Sequence, residues 1–252
     1  MMDFDNLDVS VEDGICQVTL NRPEKFNAMS LALRKQMTAC LQRIAGDTAI
    51  RVVVLTGAGR AFCAGGDISE FECSSEELND LITRVSHQWF RAFANLPQPV
   101  IAAVNGPAAG AGCSLALGSD LIYASESAYF TQSFSAIGLA PDQGSAYHLP
   151  RRVGLARAKE MCFFADRVSA PQALEWGMIN GVFPADALMD AVRGKARALS
   201  LKSPQALQMI KRMLNRSFES TLEATLDMEA AAQSFLFSTE GTRQAIGAFL
   251  KK

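Results

Sequence analysis

Apolar positions along the first half of the chain alternate between two periods. Residues 8–20 read DVSVEDGICQVTL, two strand-like runs flanking Asp13-Gly14, which predicts a hairpin. The pattern then breaks at Pro23 in NRPEKFNAM. After Ser30 the period becomes helical, with Leu33, Met37, Leu41 and Ile44 on one face and Gly46 as a stop. RVVVLTG (51–57) is a β-branched run of the fully buried kind, followed by the loop GAGRAFCAGGD. Ser74 and Glu77 form a capping-box pattern that opens a helix with Leu78, Leu81, Ile82, Val85, Trp89 and Phe93 on its apolar face; Pro97 and Pro99 end it. PVIAAVNG predicts a second buried strand, again followed by a glycine-rich loop, GPAAGAG. DLIYA (120–124) and AYF (128–130) predict short strands. After Gly144 helix signals dominate to the end, with Ser203-Pro204 as an N-cap and first-turn pair.

This order predicts an α/β core followed by a helical region, with residues 1–195 as the core and 196–252 as a helical arm for oligomerisation. Hydrophobic residues make up 49% of the 252, enough for one substantial core. The formal net charge of −2 gives no electrostatic footprint for nucleic acid or an anionic membrane. Between Val100 and Gly118 the only polar side chains are Asn105 and Ser114, but Pro107 and four glycines argue for strand, loop and helix rather than a membrane span. The six cysteines show no CxxC spacing, so no metal site is expected and they read as reduced, small buried groups of a cytoplasmic protein. The acidic start MMDFDNLDVS has the character of neither a signal nor a transit peptide.

Two loops carry the candidate chemistry: Ala64-Gly65-Gly66-Asp67 and Gly110-Ala111-Gly112, each between a buried strand and a helix. Neither fits a P-loop or a dinucleotide motif. Glycines there permit close backbone packing. They also permit a second arrangement, in which one N–H from each loop converges on a single oxygen that gains charge during reaction.

The segments NRPEKFNAM, LTGAGRAFCAGGDISEF, PVIAAVNGPAAGAGCSLALGSDLIYAS and ALEWGMINGVF resemble, in order and over nearly the whole chain, the signature blocks of the crotonase (enoyl-CoA hydratase/isomerase) family. The resemblance implies a spiral of ββα units with a C-terminal trimerisation region, and a homotrimer or a dimer of trimers. It implies an acyl-CoA thioester substrate and no cofactor beyond its coenzyme A portion. It implies an oxyanion hole from the N–H groups of Gly66 and Ala111. Coenzyme A contacts carry over to Lys25, Phe26, Ala28, Ala64, Asp67 and Ile68, with Phe249 and Lys252 reaching a neighbouring subunit's ligand. Several have a plainer reading: Asp67 with Glu70 as a capping box, Lys25 as a solvated side chain, Phe26 and Phe249 as core.

Hydratases of the family hold a water between two glutamates. This chain has Ser114 and Phe134 at those places, and neither side chain can act as a carboxylate base. A carboxylate remains at Asp142, in LAPD, where isomerases of the family carry Glu or Asp. FSAIGLAPDQGSA also resembles the matching segment of ring-epoxide isomerases of phenylacetate degradation. The residues therefore favour an enoyl-CoA isomerase with Asp142 as acid and base and Phe134 as an apolar wall. A hydratase-like or ring-epoxide isomerase, or a non-catalytic acyl-CoA binder, is the alternative. Local sequence alone also fits Asp142 as an N-cap. A Ser–His hydrolase lacks a complete GxSxG at Ser114, a Cys63 or Cys113 nucleophile lacks an evident partner, and His87 and His148 read as structural.

Overall fold

The computed structural model describes residues 3–70 and 72–250. The hairpin forms as expected: β1 (Leu7–Glu12) and β2 (Ile15–Leu20) turn through Asp13 and Gly14, both at positive φ. Helix α1 (Leu31–Gly46) is capped by the Ser30 hydroxyl, which accepts from Leu33 N, and buries Leu33, Met37, Leu41 and Ile44. Strand β3 (Val52–Gly57) is buried along its whole length. The predicted helix after Ser74 begins with the expected capping box but is not continuous. It divides into α2 (Ser75–Leu81) and α3 (His87–Ala94) around one π-helical turn, Ile82–Ser86, where His87 N donates back to Ile82 O. The wider turn accommodates an extra residue and carries Ser86 inward, which a uniform 3.6-residue period does not foresee.

The next segments repeat one unit: strand, short strand, helix. They are β4 (Val100–Val104), β5 (Ala108–Ala109) and α4 (Ala111–Leu117), then β6 (Leu121–Ser125), β7 (Tyr129–Thr131) and α5 (Ser145–Phe164). The region after Gly144 is not wholly helical. It contains β8 (Val168–Ser169), α6 (Ala170–Glu175) and β9 (Gly181–Phe183) before α7 (Leu188–Ser200), α8 (Pro204–Arg216), α9 (Leu222–Phe237) and α10 (Glu240–Phe249). Strands of two or three residues are too short to show a period, and β9 exists through its pairing with β6.

The longer strands form a six-stranded sheet ordered β1-β2-β3-β4-β6-β9, parallel except for the hairpin. The short ones form a second sheet, β5-β7-β8. Single bridges between Met29 and Gly66 and between Cys63 and Ala108 prolong this second ladder. Each coil of the chain thus adds a strand to both sheets. One face of the large sheet packs Val53, Leu55 and Ala102 with α1, α3 and α4; the other packs Val52, Val54, Ile101 and Ala103 against Leu188, Val192 and Ala196 of α7.

Helices α8 to α10 differ from the core. Among them only Ala232 is buried. The arm is tied to the body by polar contacts: Lys211 Nζ pairs with Asp120 at 2.7 Å and donates to Gln98 O at 3.0 Å, and Tyr147 donates to Asn215 O at 3.3 Å. Leu214, Phe218, Leu222, Leu226, Phe237 and Phe249 are left exposed. The accessible surface is 13376 Å², whereas a compact monomer of this size exposes about 11,000 Å².

Candidate active site

The first glycine loop is fixed from below by Asn27. This fully buried residue adopts a left-handed conformation (φ 59°), accepts from Arg22 N at 2.9 Å, and donates to Ala58 O and Ala61 O at 2.9 and 2.8 Å. Ala64 N donates to Phe26 O at 3.0 Å and Met29 N to Gly65 O at 2.7 Å, so residues 22–29 and 64–67 form one surface. The second loop lies against the first through Cys63 N to Pro107 O at 3.1 Å and Ala109 N to Cys63 O at 3.0 Å. This approach needs glycine. A Cβ at Gly112 would stand 2.1 Å from Cys63 O, and one at Gly65 would stand 2.9 Å from Ala109 O and 3.5 Å from Ala111 N. Close backbone packing is therefore required of these glycines, and it leaves the Gly66 and Ala111 N–H groups unblocked. Ala111 opens α4, so its N–H has no acceptor within the helix. Among the described residues neither the Gly66 nor the Ala111 N–H donates to another group.

The coenzyme A candidates lie mostly on that shared surface. Lys25 and Phe26 are exposed, as are Ala64 and Ile68, while Ala28 is buried. Phe26 is not core: the Arg60 guanidinium lies 4.4 Å over its ring. Asp67 is occupied. Arg22 donates to its Oδ2 from both terminal nitrogens at 3.1 and 3.0 Å, and the Ser69 hydroxyl to its Oδ1 at 2.6 Å. The Ser69 hydroxyl first, then Arg22, hold its carboxyl below the usual carboxylate range. The Asp67–Glu70 capping box does not form, because Glu70 Oε2 accepts instead from Leu31 N, at 2.7 Å, in the first turn of α1. Phe249 ends α10 and is 80% exposed, so it too is not core. Lys252 lies outside the described residues. Arg22 and Asn27 organise this surface and escaped the sequence reading; the only local signal was an Asn in a loop ahead of a helix, a residue type that tolerates left-handed backbone.

The turn before α5 holds Asp142. Gln143 and Gly144 are both left-handed (φ 48° and 72°), and Gly144 is the cap residue, so the Asp142 side chain caps nothing. Its Oδ1 is buried without a hydrogen-bond partner. Burial pushes its carboxyl above the ordinary value, against the opposing charges of Arg34 and His87. Arg34, on α1, is 5% exposed and was not foreseen as part of the site. Ser114 is fully buried, and its hydroxyl lies 3.2 Å from Gly110 O and 3.1 Å from Asp142 O. Gly110 O belongs to the same peptide unit as Ala111 N, so one serine joins the second loop to the Asp142 turn. Phe134 is buried, with its ring 3.8 Å from the place a Cβ would take on Gly110. The other candidates lie nearby but offer neither a ready base nor a ready nucleophile. His148 packs on Phe90 and Tyr147, and burial lowers it to about 4. Burial raises the thiols of Cys63 and Cys113 to about 12, which makes them poor nucleophiles.

The family model of enoyl-CoA hydratase/isomerase matches residues 10–252. The 1,2-epoxyphenylacetyl-CoA isomerase of Escherichia coli (strain K12) is 40% identical over 246 residues, 96% of this chain and 94% of that one. The 2,3-dehydroadipyl-CoA hydratase of the same organism is 36% identical over 244 residues, 97% and 95% of the two chains. The crystal structure of an enoyl-CoA hydratase/isomerase from Cupriavidus metallidurans CH34 superposes with a TM-score of 0.93 at 36% identity, over 99% of this chain and 94% of that one. An enoyl-CoA hydratase from Bacillus anthracis gives 0.94 at 32%, over 98% and 96%. Two coiled sheets, two apposed glycine loops and a match over almost the full length lead to one conclusion: this chain is an enzyme of the crotonase fold and belongs to the enoyl-CoA hydratase/isomerase family.

Proposed function

We propose that this enzyme isomerises an enoyl-CoA, moving a double bond from the 3- to the 2-position. The observation that carries the reading is Asp142. Its carboxylate has a buried, unpartnered Oδ1, its main-chain carbonyl is joined through Ser114 to the peptide that bears the Ala111 N–H, and positions 114 and 134 carry no carboxylate. The Asp142 carboxylate takes a proton from C2 of the thioester. The electron pair moves onto the carbonyl oxygen, where the N–H groups of Gly66 and Ala111 stabilise it. Asp142 then returns the same proton at C4, the 2-enoyl thioester forms, and the carboxylate is restored. Each such N–H donor contributes on the order of 3–4 kcal/mol in a transition state of this kind. No water is consumed, and Phe134 keeps that side apolar. The reading needs no cofactor beyond the coenzyme A portion of the substrate. Lys25, Phe26, Ala28, Ala64 and Ile68 provide the surface for that portion, and Asp67 shapes it through Arg22.

Assay of the enzyme with 3-hexenoyl-CoA and with crotonyl-CoA in labelled water tests this. Isomerisation of the first without fast hydration of the second is expected, and fast hydration of crotonyl-CoA overturns it. A second reading, isomerisation of a ring epoxide, is favoured by the 40% identity to the E. coli enzyme of that name; 1,2-epoxyphenylacetyl-CoA as substrate separates the two. The exposed apolar face of the arm and the excess surface fit a permanent subunit interface. The enzyme is accordingly proposed to act as a homotrimer or dimer of trimers, with Phe249 and Lys252 serving a neighbour's site. A monomer in sedimentation at micromolar concentration excludes this. Six free cysteines fit a cytoplasmic setting, and no described helix is long and apolar enough to cross a membrane.

A further inference from the structure

Arg34 is an anomaly that the proposed chemistry leaves unexplained. A guanidinium offers five N–H donors and is almost never buried without a paired anion. At Arg34, 5% exposed, Nη1 donates to Ser86 Oγ at 2.9 Å, Nε is buried with no partner, and no carboxylate among the described residues comes within ion-pair distance. Burial of a charge on these terms is costly, so something must offset it.

Position supplies the answer. Met29 N on Gly65 O, and Asp67 N on Met29 O, seat the start of α1 beside the first glycine loop, and Arg34 stands one turn further along that helix. The groups of opposite sign facing it are Asp142, Glu70 and Asp67, with the Cys63 thiol. Three of the four are accounted for. Glu70 accepts from Leu31 N, Asp67 is held by Arg22 and Ser69, and the thiol stays protonated. Of these carboxylates Asp142 alone has a buried oxygen without a partner. The packing leads to the same turn. Arg34 donates to Ser86, next to His87 at the start of α3, and Phe90 of that helix stands 2.6 Å from the place a Cβ would take on Gly144, two residues after Asp142. The charges of Arg34 and His87 both act on the Asp142 carboxyl. The π turn has its use here, since it carries Ser86 inward to accept from Arg34.

We propose that Arg34 is a positioning residue whose buried guanidinium, held off by Ser86, keeps Asp142 ionised without occupying the oxygen that must receive the substrate proton. This rests on the reading of Asp142 as the base. A direct ion pair would tie up that oxygen. A cation at a distance acts through its field alone, which stays strong in surroundings of low polarity.

The test is the pH dependence of kcat/KM with 3-hexenoyl-CoA for the wild type, Arg34→Met, Arg34→Lys, Ser86→Ala and Asp142→Asn. Without Arg34, burial of Asp142 is opposed only by His87 and by the residue's own backbone N–H, so the carboxylate takes up its proton at higher pH. Arg34→Met should therefore lose at least about tenfold on the acid side and recover toward alkaline pH, whereas Arg34→Lys keeps the wild-type profile. Ser86→Ala should shift in the same direction by less, and it remains informative should Arg34→Met not fold. A folded Arg34→Met, or Ser86→Ala in its place, whose acid limb coincides with wild type overturns the role of Arg34 and leaves the isomerase reading intact. Full activity with an unchanged limb in Asp142→Asn overturns the reading itself.

Discussion

The loop that carries Asp67 and the turn that carries Asp142 each place an aspartate in largely buried surroundings, with opposite results. Asp67 receives donors on both oxygens, from Arg22 and from Ser69, and its proton affinity falls. Asp142 has an empty Oδ1 and charges that act from a distance, and its proton affinity rises. Burial alone does not decide what a carboxylate can do; the supply of donors does. A satisfied carboxylate fixes a loop, and an unsatisfied one remains able to accept a proton from something else.

Substitution at the two positions should separate these roles. Asp142→Asn has the largest expected effect, a loss of about 10²–10⁴-fold in isomerisation with the fold kept; undiminished turnover breaks the comparison. The same variant should be more heat-stable than wild type at neutral pH. A carboxyl with a raised folded value is costly in its ionised form, so its penalty grows as pH rises above the ordinary 3.8 and disappears with the asparagine. Melting curves at neutral and acid pH check the sign. Asp67→Asn should instead lose about 1–3 kcal/mol of stability, the cost of weakening hydrogen bonds to a charged group, while turnover at saturating substrate persists. Its lowered value works the other way: the stability it contributes is full above 3.8 and is lost as pH falls, so denaturant midpoints of wild type and variant should converge in acid. The smallest effect is expected from Ser114→Glu. A new carboxylate there meets Phe134 where a hydratase has its second glutamate, so hydration of crotonyl-CoA should stay at the wild-type level. The appearance of hydratase activity would show that one added acid is enough.

What could be read in advance followed from local rules. Asp13-Gly14, Ser30, the Ser74–Glu77 box and Ser203-Pro204 each act within four residues of themselves, and all four stand as expected. The fold class and the approach of the two glycine loops came from a pattern spread over the whole chain. The missed features depend on partners distant in sequence. Asn27 is defined by carbonyls 31 and 34 residues away, Glu70 by an amide 39 residues back, and β9 by a strand on another coil. Arg34 sits on the helix face that Leu33 and Met37 mark as buried, and nothing in its neighbourhood announces that a cation belongs there. Even Asp142 looked like a helix cap until Gly144 took that place.

The groups assigned to the thioester oxygen, Gly66 N and Ala111 N, belong to the main chain. Nearly every codon change alters a side chain and leaves an amide proton where it was. On the proposed reading, the genes of such a lineage can therefore wander across positions 114, 134 and 142, gaining or losing acids and so changing the reaction, while the main-chain donors are inherited intact. Gly112 sets the boundary of that freedom. With 2.1 Å between a would-be Cβ and Cys63 O, almost any replacement there forces apart the two loops on which the proposed reaction relies.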